Sequence, residues 1–73
     1  MNTRDTYLTL LALANSGRDA VSDYIRTEMY KSQLGALRQY LNLPITKENL
    51  AAKSEVLVTD EIMKRFQAKE VTK

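Results

Sequence analysis

Apolar positions along this chain recur at helical rather than strand spacing. Between Arg4 and Ala14, the residues Tyr7, Leu10, Leu11 and Ala14 form an i, i+3, i+4, i+7 stripe, and Leu8, Ala12 and Leu13 carry apolar character around the rest of the cylinder. A helix apolar on most sides is buried on most sides, so this segment is predicted to be the central core element. Asn2 or Thr3 is placed to cap it, and Asp5 falls in the first turn, where the helix dipole favours negative charge. Asn15-Ser16-Gly17 reads as a stop and restart. Gly17 ends the first helix through a positive φ, and Ser16 with Asp19 resembles a capping box for the next.

The second predicted helix runs from about Arg18 to Leu41. Val21, Tyr24, Ile25 and Met29 make one apolar stripe, Tyr30, Leu34, Leu37 and Leu41 another, and the phase slips by one residue between Met29 and Tyr30. Either the helix twists its buried face or it breaks near Lys31-Ser32-Gln33. Gly35 weakens it locally. Asn42-Leu43-Pro44 ends it, because the residue before a proline avoids the helical region. Thr46 then caps a third helix from about Lys47 to Leu57, and Val58-Thr59-Asp60 interrupts again. Thr59 caps a last helix, Asp60 to about Lys69, stabilised by the i, i+4 pairs Asp60–Lys64 and Glu61–Arg65. Val56-Leu57-Val58 is also compatible with a short strand, and residues from Glu70 onward are expected to fray. The prediction is one all-α domain spanning residues 1–73, of three or four helices with a frayed C-terminal tail.

Composition changes the picture mainly by subtraction. The 73 residues include no Cys and no His. Disulfide, thiol and imidazole chemistry are therefore excluded, as is a zinc site of the usual kind. Serines lack the histidine base that nucleophilic catalysis usually needs. Asp19 and Asp23 share a helix face, but no pocket-forming pattern accompanies them and Arg26 compensates their charge. Gly17 and Gly35 are too far apart for a phosphate-binding loop. The expectation is a protein that is not an enzyme, with no cofactor and no metal. The longest apolar run, Leu10 to Ala14, is far short of a membrane span, and a soluble cytoplasmic protein is expected.

Binding functions remain. Eleven Lys and Arg against nine Asp and Glu give a net charge of +2, too mild for a polybasic nucleic-acid arm. Thr46 to Phe66 has the coarse size of a helix-turn-helix, so a small DNA-binding repressor is one reading. Against it, the turn would be Val58-Thr59-Asp60 without glycine, and the recognition helix would open with Asp60 and Glu61, which repel phosphate. Tyr24, Tyr30 and Tyr40 lie near Arg26, Lys31 and Arg38 in sequence. Tyr24 is expected in the core, and an exposed Tyr beside Arg suits a protein interface better than RNA. The two offset stripes of the second helix leave a homodimer open.

The length, the Cys-free and His-free helical composition, the start Met1-Asn-Thr-Arg-Asp-Thr-Tyr7 and the basic end Lys64-Arg-Phe-Gln-Ala-Lys-Glu-Val-Thr-Lys73 together give the chain a recognisable character. In these features it resembles the small phage-encoded transcription inhibitors and antiterminators that bind bacterial RNA polymerase, of the lytic Xanthomonas phage type. The resemblance implies a stoichiometric binder of the host polymerase that interferes with the sigma factor at promoters and lets elongating polymerase pass terminators. It brings no residue roles with it. Independently of it, Arg4, Arg18, Arg26, Tyr30, Lys64 and Arg65 are the candidate partner contacts, as side chains expected to be exposed and able to make anchored polar contacts.

Overall fold

In a computed structural model of the chain, residues 2–43 and 53–71 are described, with side chains over 2–43 and 53–68. These residues form four helices and no strand: α1 (Thr3–Ala14), α2 (Arg18–Glu28), α3 (Lys31–Tyr40) and α4 (Ser54–Val71). The all-α fold expected from the helical spacing is the one observed.

α1 starts as its sequence dictates. The Asn2 side-chain oxygen accepts from the Asp5 backbone N–H at 2.8 Å, satisfying one of the N–H groups that the first turn leaves free. The helix closes as the N–H groups of Asn15, Ser16 and Gly17 reach back three residues to the carbonyls of Ala12, Leu13 and Ala14. Gly17 then takes φ +108, a conformation open to a residue without a Cβ. Gly17 itself occupies the N-cap of α2 and has no side chain to offer, so the capping box expected of Ser16 and Asp19 does not form.

The long helix expected from Arg18 to Leu41 is two helices. Met29 and Tyr30 are both extended, at φ −109 and φ −83, so the break falls just ahead of the Lys31–Gln33 site expected for it. It coincides with the phase slip. One straight helix could not aim both Val21 and Ile25, and also Leu37 and Leu41, at the same core; two extended residues re-aim the second stripe. Gln33 assists by accepting the Tyr30 N–H on its side-chain oxygen at 2.8 Å. At the far end of α3, Asn42 adopts φ +61, while the Leu43 N–H bonds Arg38 O and the Asn42 N–H bonds Gln39 O. This is the Schellman closure, usually built with glycine.

α4 corrects the C-terminal reading. The helix expected to begin at Thr46–Lys47 starts in residues outside those described. From Ser54 onward there is one unbroken helix to Val71, not two helices separated at Val58-Thr59-Asp60. Thr59 caps nothing: it lies mid-helix, 1% exposed. Val56-Leu57-Val58 is helical. The local preferences against helix at Val58, Thr59 and Asp60 amount to roughly 0.5–0.7 kcal/mol each relative to Ala. Burying Val58 alone returns about 1.5–3 kcal/mol, so tertiary packing wins.

α1 and α4 each pack against all three other helices and form the central pair, flanked by α2 and α3. Leu10, Ala14, Val21, Ile25, Leu37, Leu41, Val58 and Ile62 make the core where the four helices meet. The central role expected of α1 holds, but its burial all round does not. Leu8 is 47% exposed and Ala12 is exposed, because both lie across the cylinder from Leu10. No described helix is long and apolar enough to cross a membrane.

Candidate protein-docking surface

Among the described residues, three of the four large apolar side chains that stay exposed belong to α1, α3 or the residue that opens α3: Leu8, Tyr40 (45% exposed) and Tyr30 (77% exposed). The fourth, Val56, is on α4. Tyr40, in the last turn of α3, lies against Tyr7 of α1, with ring centroids 5.4 Å apart and planes tilted by 51°. Such a tilted pair is a favourable aromatic contact. Leu8 follows Tyr7 in sequence, and Arg4 precedes Tyr7 and Leu8 by three and four residues. The helical repeat therefore places Arg4, Tyr7, Leu8 and Leu11 on one flank of α1, running from the core edge out to solvent. The result is an apolar and aromatic strip, edged by an arginine and shared between two helices.

Arg65 holds this corner together from below. Its Nε donates to Glu61 Oε2 at 2.8 Å, its Nη2 donates to the Leu41 carbonyl at 3.2 Å, and its guanidinium lies 5.7 Å from the Tyr7 ring centroid. Glu61, hydrogen-bonded to it, and then Tyr7 push the already high pKa of Arg65 further up, against a smaller opposing effect of burial. The side chain stays cationic wherever the protein is folded. It also sits near the carbonyl end of α3, where the helix dipole favours positive charge. Arg38 acts there as well, donating from Nη2 to the Leu43 carbonyl at 3.2 Å.

The six side chains named from the sequence are therefore not one site. Arg4, Arg18, Arg26, Tyr30 and Lys64 are exposed, as expected. Arg65 is not a free contact: it is half-buried and committed to Glu61, Leu41 and Tyr7. Arg18 is ion-paired with Asp60 across α2 and α4, and Arg26 with Asp23 within α2. Asp60 thus turns to Arg18 rather than to Lys64, whereas the expected Glu61–Arg65 pair forms. Of the six, only Arg4 lies on the aromatic strip. None of the strip residues Tyr7, Leu8 and Tyr40 is among the six, although Tyr40 is one of the tyrosines that the sequence sets near an arginine. Leu8 carried a usable signal, since it sits two residues, or about 200°, from Leu10 on the same helix. Tyr24 is half-buried against the core, as expected.

Among the described residues no group of three or more acidic side chains is arranged to hold a metal ion. The hydroxyls with polar partners are engaged locally, as Thr9 is with the Asp5 carbonyl, or bridge helices, as Ser22 does by donating to Glu55 Oε2 at 2.6 Å between α2 and α4. Comparison of the chain with protein-family models, with curated proteins and with solved structures gives no match.

Proposed function

We propose that this chain is a non-enzymatic regulator that acts by binding a larger host protein, bacterial RNA polymerase, inhibiting sigma-dependent initiation and promoting antitermination. The observation that carries the binding part is the strip of half-buried Tyr7 with exposed Leu8 and Tyr40, edged by Arg4. Tyrosine and arginine are the residue types that dominate interface energetics, and a rigid aromatic pair loses little entropy on docking. Scale supports the same reading. The whole surface is 5227 Å², and a standard interface of ~800 Å² per partner would occupy about 15% of it. The identity of the partner rests on the resemblance of the chain's composition and two ends to polymerase-binding phage regulators.

The DNA-repressor alternative has less to stand on, because the turn it needs at Val58-Thr59-Asp60 is continuous helix. The test is transcription in vitro with purified bacterial polymerase. Added chain should suppress sigma-dependent initiation and raise read-through at a terminator when added to elongating complexes. Unchanged transcription, with a gel shift on promoter DNA that weakens steeply as salt rises, would transfer the function to DNA binding.

A further inference from the structure

α2 and α3 follow one another in the chain but hardly touch; each packs on the central pair, α1 and α4. The two residues that join them, Met29 and Tyr30, are extended, and Tyr30 is largely exposed. Nothing in their side chains demands a break. Neither is Gly or Pro, and Met is a good helix former. The helix end at this joint is also unlike the others. α1 closes on turn hydrogen bonds from the N–H groups of Asn15, Ser16 and Gly17, and α3 on those from Leu41, Asn42 and Leu43, whereas among the described residues no turn bond closes α2. At the start of α3 the Tyr30 N–H donates to the Gln33 side-chain oxygen. Helix continued through the joint would instead pair the carbonyls of Arg26 to Met29 with the N–H groups of Tyr30 to Gln33.

A continued helix has a definite geometry. Leu37 would lie about 24 Å along the axis from Val21 and about 160° around it. Ile25 and Leu41 repeat the relation, and Met29 stays on the flank of Val21 and Ile25. Such a helix serves two cores, one on either side and one towards each end. A second copy of the chain supplies the second core. We infer that Met29–Tyr30 is an exchange hinge: α2 and α3 straighten into one helix, Arg18–Tyr40, and the α1–α2 half of each copy packs on the α3–α4 half of the other. The contacts divide cleanly for this. α1 on α2 and α3 on α4 stay within a half, while α1 on α3, α1 on α4 and α2 on α4 are remade between copies. The core contacts are the same in kind, so the exchange costs the freedom lost on association and gains the backbone bonds of the joint. A short joint favours this route, because it gives up little when it straightens. The Tyr7–Tyr40 pair then comes from two copies, and each dimer carries two docking strips built from both chains. The inference stands independently of the polymerase reading.

The test is size-exclusion chromatography with light scattering on the full chain, unfolded in urea and refolded at micromolar and at millimolar concentration. The expected result is monomer from dilute refolding and dimer from concentrated refolding. Tyr30→Pro suits the observed joint, since φ −83 is close to proline's own and a proline favours the extended conformation that Met29 already has. It forbids the continued helix, and should give monomer in both regimes with the dichroism at 222 nm kept. Tyr30→Ala removes the same ring but favours helix, and should form at least as much dimer as the unaltered chain. Gln33→Ala removes the acceptor of the Tyr30 N–H. It should lower about tenfold the refolding concentration at which half of the chain is dimer, because each dimer contains two joints. Monomer in both regimes for the unaltered chain and for Gln33→Ala would overturn the inference. So would a dimer that survives Tyr30→Pro, which would mean copies meeting without exchange, or one lost with Tyr30→Ala, which would make the ring itself the contact. If Tyr30→Pro does not fold, Gln33→Ala decides: a dimer fraction unchanged or lowered overturns the hinge.

Discussion

Thr59→Val separates two opposite accounts of the C-terminal half by the sign of its effect. In the structure Thr59 is 1% exposed in the middle of α4, and its Oγ1 is buried without a hydrogen-bond partner. A buried hydroxyl left unpaired costs about 1–3 kcal/mol. Valine matches threonine in shape and branching and carries no polar group, so the substitution removes the penalty and leaves no cavity. We predict a gain of about 1 kcal/mol, taken at the low end because threonine in the unfolded chain is also partly desolvated. For a domain of this size that raises Tm by roughly 4–8 °C. Were Thr59 instead the cap of a separate helix, the same change would remove a capping oxygen and cost about 1 kcal/mol. Urea unfolding followed at 222 nm decides it: the midpoint should rise with the slope unchanged. A lower midpoint would refute the continuous helix, and an unchanged one would refute the orphaned hydroxyl.

Other substitutions probe the remaining joints. Arg65→Met keeps much of the side-chain stem but loses the Glu61 and Leu41 hydrogen bonds, and should cost about 1–2 kcal/mol in the same assay, with most of that loss absent when Glu61→Gln is already present. The contribution of Arg65 should be flat from pH 6 to 9: its folded pKa is raised, so the stabilisation is complete below arginine's ordinary range and fades only above it. Gly35 is exposed within α3 and a Cβ there meets no neighbouring atom, so Gly35→Ala should stabilise by about 0.5–1 kcal/mol. Asn42 holds φ +61; Asn42→Ala should destabilise by about 1 kcal/mol and Asn42→Gly should not.

What the sequence made legible was what local chemistry decides. The Asn2 cap, the positive φ at Gly17 and the Glu61–Arg65 pair each depend on residues within four positions, and each is present. The phase slip between Met29 and Tyr30 also marked the true break. Errors came where distant packing overruled local preference. Val58, Thr59 and Asp60 look like an interruption because two are β-branched and two favour caps, yet the core buries Val58 and Thr59 within a helix. The docking strip was harder still. Tyr7 and Tyr40 are 33 residues apart, and only the packing of α1 against α3 brings them together. Arg65 looked like a surface contact for a related reason: its partners Tyr7 and Leu41 lie on α1 and at the end of α3.

The most direct test of the central claim is co-elution of the purified full chain with purified bacterial RNA polymerase core enzyme on size-exclusion chromatography, with nuclease present and at moderate salt. A stoichiometric complex is expected, one that loses the chain when Leu8 and Tyr40 are both replaced by serine and keeps it when Lys64 is reversed to glutamate. A chain that elutes alone at its own volume, with polymerase unshifted, would contradict it.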